Sequence, residues 1–354
     1  MKIIRLTTLL DFGGQERQFL CFSEDKTILH HHYIFASIGY GGHAEKIIRE
    51  RGFEVYVFNM NPSIKNFKNI VRLYRFFKYI KPDIVHTAAA EANFHGIIAA
   101  RLAGVKIIFG EEIGIPDHSN IAKISFKFIY RFTKKVICVS NAVKKYLISI
   151  GEINDQQGIV LYNPVSIPQQ YNIKKSNYFT LIYVGRLEKV KNVDLLIAAF
   201  AKLKEWEKMK LVIVGDGRER AYLEQMTKDL KVDSNIEFKG FQSRPEKFVN
   251  QADLFVLPSY SEGFGIAVVE AMYQGVPCLC SKVGGIPEFI KDNETGWLFD
   301  PNNIQELTDC IKNIYKLPKN ELKNIAEKGK LYATNNFSSK IYISKLENIY
   351  ETFL

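Results

Sequence analysis

The chain has 354 residues, of which 47% are apolar and 24% are charged. This composition is ordinary for a globular protein and excludes a disordered tail, a collagen-like repeat and a coiled coil. The length predicts two domains, since one domain usually takes about 100–200 residues. No run of 18 or more apolar residues occurs, which excludes a membrane-spanning helix.

The formal net charge of +10 is distributed unevenly. Residues 1–172 hold 22 Lys and Arg against 14 Asp and Glu, a net of +8, whereas residues 173–354 hold 26 against 24, a net of +2. A basic first half indicates contact with nucleic acid, an anionic membrane or an acidic substrate, or simply a solvated lysine-rich surface. The five cysteines are odd in number and scattered, which predicts reduced thiols in a cytoplasmic protein.

Short, nearly continuous apolar runs in the first half are typical of buried parallel strands. They lie at 2–8, 32–37, 54–59, 83–88, 105–110 and 135–140. Helical patterns occur between them at 44–51, 64–80, 93–103, 121–132 and 141–150. This alternation predicts a doubly wound α/β domain with a parallel sheet.

The same alternation restarts in the second half. Strands are predicted at 181–186, 210–216, 236–240, 253–259 and 277–282, and helices at 192–204, 219–230, 245–250 and 266–274. A polar stretch with prolines at 162–175 predicts a linker. We therefore expect Rossmann-like domains over 1–166 and 167–337, a helix at about 338–354 that packs back on the first domain, and a site in a cleft where the carboxyl ends of both sheets face each other.

The first motif with chemical meaning runs from Gly185 to Asn192 and follows a predicted strand. It contains Arg186 and Lys191, which together suit a diphosphate: arginine chelates two oxygens, and lysine supplies a compact charge. The alternative is two solvated surface cations.

The second motif is SEGFGIAVVEAM, residues 261–272, in which a glycine-bearing loop leads into a helix. Glycine allows close approach of a ligand to the backbone, and a helix N-terminus attracts anions. Glu270 is flanked by apolar residues, which predicts a buried carboxylate with hydrogen-bond partners. Glu262 and Glu270 could bind sugar hydroxyls. The alternative for Glu270 is a structural bond to a backbone amide.

Taken together, these residues resemble the retaining glycosyltransferases of family 4, the group 1 enzymes with the two-domain GT-B fold. The resemblance covers almost the whole chain. Besides the two motifs it includes Gly13-Gly14, the segment PDIVH at 82–86, Val139-Ser140, the segment GVP at 275–277, and Gly284-Gly285 followed by Glu288.

The resemblance implies a donor site on the second domain and an acceptor on the first. Arg186 and Lys191 would bind the donor diphosphate, Glu270 the ribose, and Glu262 the transferred sugar. The remaining donor contacts would come from Gly13, Gly14, Gly185, Gly215, Asp216, Gly217, Phe241, Arg244, Gly263, Phe264 and Gly265.

On the acceptor side, the family often has a His-x-His pair where this chain reads His86-Thr87-Ala88. His86 is a catalytic candidate, and the other acceptor-side candidates are Glu91, Asn93, His95, Glu111 and Glu112. Because the second histidine of the pair is replaced, the sequence leaves open which of these residues, if any, is the acceptor-side base.

The resemblance implies retaining transfer from a nucleotide-diphosphate sugar, UDP- or GDP-linked, to a hydroxyl of a glycan or lipid-linked glycan in surface polysaccharide or glycolipid synthesis. No cofactor is expected. The sequence has no Asp-x-Asp motif, so two cations and a helix N-terminus are expected to stabilise the leaving diphosphate without a metal.

Three alternatives remain at this point: an epimerase-like GT-B enzyme, a non-catalytic sugar-nucleotide sensor, and a nucleic-acid binder, which is suggested by charge alone and is not expected. The basic, aromatic helices at 64–80 and 121–135 fit peripheral contact with an anionic membrane at its inner face. Ordinary packing on the sheet is the other interpretation.

Overall fold

The computed structural model describes residues 1–169, 176–203 and 206–354. They form two compact units, Met1–Val165 together with Ser339–Leu354, and Ser166–Ser338. The boundary expected at 166/167 lies one residue from this division. Part of the predicted linker, residues 170–175, lies outside the described residues.

The first unit is built on a parallel sheet with the order β3-β2-β1-β4-β5-β6-β7. Each strand expected in this half is present, with ends shifted by at most two residues. β7 was not expected, since three residues are too short to give a periodic signal. The strands are β1 Lys2–Thr7, β2 His32–Ser37, β3 Glu54–Val57, β4 Ile84–Ala88, β5 Ile107–Glu112, β6 Lys135–Cys138 and β7 Gly158–Val160.

Helices connect these strands, and all but the first were expected. The first half of α1 is polar, yet Gln18 is buried together with Phe19 and Phe22 of its second half. The helices are α1 Gly14–Phe22, α2 His43–Glu50, α3 Lys68–Ile80, α4 Ala90–Ala103, α5 Asn120–Tyr130 and α6 Asn141–Ser149. The C-terminal helix, which we label α13, spans Ser339–Glu351.

The C-terminal helix completes the core of the first unit. Tyr342, Ile343, Leu346 and Tyr350 of α13 are buried in one apolar cluster with residues of α1 and of several strands. The apolar face of α13 therefore packs against the sheet of this unit.

The second unit has a parallel sheet with the order β10-β9-β8-β11-β12-β13. The strands are β8 Phe179–Val184, β9 Met209–Val214, β10 Ile236–Gly240, β11 Leu254–Leu257, β12 Cys278–Ser281 and β13 Trp297–Phe299. The helices are α7 Val193–Ala201, α8 Arg220–Asp229, α9 Glu246–Val249, α10 Ile266–Tyr273, α11 Ile304–Lys316 and α12 Lys319–Asn336. β13, α11 and α12 were not predicted.

The cysteines are free thiols, and four of the five are buried. In the described residues no helix is both long and apolar enough to cross a membrane.

Candidate active site

The loops of the second unit that carry the predicted donor residues lie at one edge of its sheet. Arg186 follows β8, Gly215 follows β9, Phe241 follows β10, and the loops after β11 and β12 hold Glu262 and Gly284. Because these strands are parallel neighbours, their carboxyl ends meet at the same edge, which is where open α/β sheets bind ligands.

The loop after β8 holds its shape through buried polar contacts. The hydroxyl of Tyr183 donates to the carbonyl of Arg186 at 2.8 Å, and the Arg186 side chain is exposed. Asn192 is buried and left-handed, with φ of 54°. Its side-chain amide donates to the carbonyls of Pro258 at 3.1 Å and Pro301 at 2.9 Å. The loop that bears both cations is thus tied to the end of β11.

Lys191 and Glu262 form an ion pair although they are 71 residues apart in sequence. Lys191 Nζ lies 2.6 Å from Glu262 Oε1, and the two side chains are 17% and 12% exposed. The hydroxyl of Ser259, which is fully buried, also donates to Glu262 Oε1 at 2.8 Å. Ser259 carried no sequence signal. The pair places one cation and one carboxylate side by side at the sheet edge.

Two glycines permit backbone approaches that no other residue allows. Gly284 has φ of +52°, and a Cβ there would lie 1.6 Å from the carbonyl oxygen of Glu262. Gly215 has φ of +143°, and its Cβ would lie 1.8 Å from the carbonyl oxygen of Gly185. Both conformations favour glycine. These residues therefore set how closely neighbouring loops pack around Arg186 and Glu262.

Helix α10 begins at the same edge, after Gly265 with φ of +100°. Its N-terminus favours an anion through the helix dipole and the first-turn N–H groups. Phe264, whose backbone was predicted to approach the donor, packs its buried ring 5.3 Å from Phe289 and 5.1 Å from Phe337. This aromatic packing anchors the loop before the helix.

The expectation that Glu270 is buried is wrong. Glu270 is partly exposed and shares a partly exposed face of α10 with Ile266 and Ala267. The other face, which includes Val268, Val269, Ala271 and Met272, is buried. Apolar neighbours in sequence misled the prediction, because a helix turns adjacent residues to different faces. Glu270 thus lies outside the buried face of α10.

The predicted nucleoside-flanking residues lie after β9 and β10. Phe241 is 58% exposed, and Arg244 and Asp216 are exposed. The Gly215 amide donates to the Gly240 carbonyl at 2.9 Å, which joins the two strand ends. Gly217, Gly263 and Gly185 lie in the loops already described.

In the first unit, Gly13 and Gly14 lie exposed at the start of α1, after the end of β1. The side-chain amide of Gln15 donates to the carbonyl of Ala88 at 2.9 Å. Glu91 is partly exposed and accepts from the Thr8 hydroxyl at 3.2 Å. These residues gather at the carboxyl ends of the neighbouring strands β1 and β4.

The expectation that His86 faces the acceptor is wrong. His86 is 1% exposed; its Nδ1 lies 2.5 Å from the Tyr350 hydroxyl, and its Nε2 lies 3.1 Å from Glu111 Oε2. Glu111 is fully buried and pairs with Arg5 at 3.2 Å. Burial lowers the pKa of His86. Helix α13 covers both residues, so they belong to a buried polar network of the first unit.

Asn93, His95 and Glu112 are also buried, which corrects their assignment to an acceptor surface. The Asn93 amide donates to Glu112 at 3.0 Å, and the hydroxyl of Tyr130 donates to the same carboxylate. His95 Nε2 lies 3.1 Å from the Ser63 carbonyl. Burial raises the pKa of Glu112 to about 7. Of the acceptor-side candidates, only Glu91 remains partly exposed.

Two family models match the chain: Glycosyl transferases group 1 over residues 167–332 and Glycosyltransferase Family 4 over residues 12–168. The chain belongs to the group 1 glycosyltransferases. Both models fit the sequence resemblance, and their meeting point falls close to the division between the two units.

Solved structures confirm the GT-B fold of this glycosyltransferase. Anabaena HepE in complex with UDP aligns with a TM-score of 0.84 and 22% identity, covering 99% of this chain and 100% of HepE. HepE has also been solved with UDP-glucose.

Among curated relatives, an Escherichia coli UDP-Gal:alpha-D-GlcNAc-diphosphoundecaprenol alpha-1,3-galactosyltransferase is 28% identical over 316 residues, covering 81% of this chain and 80% of the relative. A Bacillus anthracis N-acetyl-alpha-D-glucosaminyl L-malate synthase is 34% identical over 185 residues, 52% of this chain. The chain matches 48% of the length of that second relative.

Proposed function

We propose that this glycosyltransferase moves a sugar from a UDP-linked donor to a hydroxyl of a lipid-linked glycan, in surface polysaccharide or glycolipid synthesis. The Escherichia coli relative, named for UDP-Gal and a diphosphoundecaprenol acceptor, supports the class of donor and acceptor. The complexes of HepE with UDP and UDP-glucose support the nucleotide. A lipid-linked acceptor places the reaction at a membrane, so the proposal includes peripheral contact with its inner face.

The observation that carries this proposal is the meeting of Arg186, Lys191 and Glu262 at one sheet edge. Transfer breaks the bond between the anomeric carbon and a diphosphate oxygen and forms a bond from that carbon to the acceptor oxygen. Negative charge grows on the leaving diphosphate, and cations fixed in place stabilise it. Arg186 would chelate the diphosphate, and the Lys191 ammonium would add a point charge.

The two glutamates take different roles in this proposal. Glu262 already engages a cation and lies at the loop that would face the transferred sugar. Glu270, on the partly exposed face of α10, would accept hydrogen bonds from the ribose hydroxyls. We propose that Arg186, Lys191 and the N-terminus of α10 do the work of a divalent cation, so transfer would persist in EDTA. Retention of configuration rests on the family resemblance.

The proposal is tested by replacing Arg186 with alanine. Loss of a bidentate, charge-assisted contact of about 3 kcal/mol lowers kcat/KM for donor transfer roughly a hundredfold, with an unchanged melting temperature. Lys328→Ala, which removes an exposed cation on α12, is the matched control. Near-normal transfer by Arg186→Ala refutes the diphosphate assignment. Isomerisation of the donor without acceptor favours an epimerase-like enzyme, and UDP binding without turnover favours a sensor.

A further inference from the structure

The exposed half of α5 is divided into an apolar stripe and a basic stripe. Ile121, Ile124 and Phe128 are 79%, 71% and 58% exposed. Because successive residues of a helix are about 100° apart around its axis, these three side chains lie within an arc of about 60°. We call them the apolar ridge. On one side of the ridge the helix surface carries Lys123, Lys127 and Arg131.

The apolar ridge is not the face with which α5 packs on the sheet. That role belongs to Phe126, Ile129 and Tyr130, which are buried. A surface helix needs only one apolar face to dock on its own domain. Since α5 has a second one, ordinary packing on the sheet does not account for the ridge, and exposed apolar residues in contiguous positions indicate an interaction surface.

The surroundings of the ridge are basic and lack acidic residues. Residues 119–135 contain five Lys or Arg and no Asp or Glu, and residues 64–82, which include α3, contain six and none. α4 packs against both α3 and α5. The connections through these three helices lead in the same direction along the sheet, and because such crossovers are right-handed, all three helices lie on one side of it. Tyr79 of α3 is 80% exposed. This side of the first unit is complementary to an anionic surface.

We propose that the apolar ridge inserts into the interfacial layer of an anionic phospholipid membrane, with the basic residues of α3 and α5 contacting the headgroups. The combination of an inserted apolar stripe and a polybasic surround fits a membrane, since stable peripheral binding usually needs two such signals. This proposal rests on the membrane contact of the proposed function and names the surface that makes that contact. Membrane binding by the ridge does not depend on the donor site, since every residue involved belongs to the first unit.

Flotation of the full chain with vesicles tests the surface. We compare phosphatidylcholine alone with phosphatidylcholine mixed with phosphatidylglycerol, at low and high salt. The wild type binds the anionic vesicles, and salt weakens this binding. Ile124→Ser with Phe128→Ser lowers the partition coefficient about tenfold or more. The matched control, Tyr222→Ser with Leu331→Ser, removes similarly exposed apolar residues from the second unit and changes the coefficient less than about twofold.

The charge contribution is measured separately with Lys123→Gln and Lys127→Gln, which lower binding to anionic vesicles and flatten its salt dependence. Equal binding of the ridge variant and the wild type overturns the proposal. So does equal binding of the wild type to neutral and anionic vesicles. A ridge variant that dissociates a dimer, or loses RNA binding, without a change in vesicle binding assigns the ridge to another partner. Stabilisation by UDP, measured on every variant, reports on the donor site independently.

Discussion

The ion pair between Lys191 and Glu262 leads to a prediction that distinguishes the effect of Glu262 on donor binding from its effect on sugar transfer. If Lys191 binds the donor diphosphate, Glu262 competes for the same ammonium before the donor arrives. Replacing Glu262 with glutamine removes the negative charge and keeps the shape. UDP should therefore bind Glu262→Gln more tightly, while transfer from the UDP-sugar should fall.

The magnitude follows from the environment of the pair. Exposed pairs contribute about 0–1 kcal/mol, and breaking a fully buried pair costs about 3–5 kcal/mol. With the side chains 17% and 12% exposed and the two atoms 2.6 Å apart, we take about 1–1.4 kcal/mol, which is about a five- to tenfold lower Kd for UDP. Ser259 still contacts the amide oxygen, so the loop keeps its shape.

Isothermal titration with UDP measures this change in Kd, and initial rates with a UDP-sugar measure transfer. Glu327→Gln is the control, since Glu327 is 63% exposed and lies 3.6 Å from Lys323; its Kd for UDP should match that of the wild type. Unchanged or weaker UDP binding by Glu262→Gln would show that Lys191 does not bind the diphosphate, and the reasoning would fail.

Three further predictions concern the remaining features of the two units. Gly284→Ala places an alanine at a left-handed φ and makes its Cβ overlap with Glu262, so urea unfolding should show a free energy of unfolding lower by about 3 kcal/mol. Gly114→Ala, where a Cβ meets nothing within 4 Å, is the control and should leave stability unchanged. A Gly284→Ala protein as stable as the wild type contradicts the packing argument. Glu270→Ala should raise the Kd for UDP about tenfold, because hydrogen bonds to a charged carboxylate are lost. Calorimetry measures this Kd, and an unchanged value contradicts the assignment of Glu270 to the ribose. Burial raises the pKa of Glu112 from 4.5 to about 7, so the folded state holds a proton more tightly than the unfolded state and loses up to about 3 kcal/mol of stability as the pH rises between those values. Urea unfolding at several pH values should show a smaller loss for Glu112→Gln than for the wild type. Identical pH profiles for the two proteins refute the titration of Glu112 as the cause.

The fold could be read largely from short apolar runs. β2 matches its predicted bounds, because a strand buried on both faces leaves a continuous apolar signal. β7 and β13 are three residues each, and such segments give no period to detect. Register and strand order were beyond the sequence, because they depend on pairings between distant segments.

The donor-side residues were easier to predict than the acceptor-side ones. Arg186 and Glu262 follow strand ends, and the carboxyl ends of a parallel sheet meet at one edge, so the local pattern placed both residues at that edge. His86 lies inside β4, and its exposure depends on what covers that strand. The cover is α13, whose Tyr350 is 264 residues away in sequence. No local signal at His86 reports that packing.

The central claim, a donor site on the second unit that works without a metal, is tested most directly by thermal shift with UDP, GDP, ADP and dTDP, each in EDTA and in magnesium. A ligand that binds the native state alone raises the melting temperature. UDP should stabilise the protein in EDTA more than the other nucleotides do, and Arg186→Ala should abolish the shift. No shift with any nucleotide in EDTA, or a shift that requires magnesium, would contradict it.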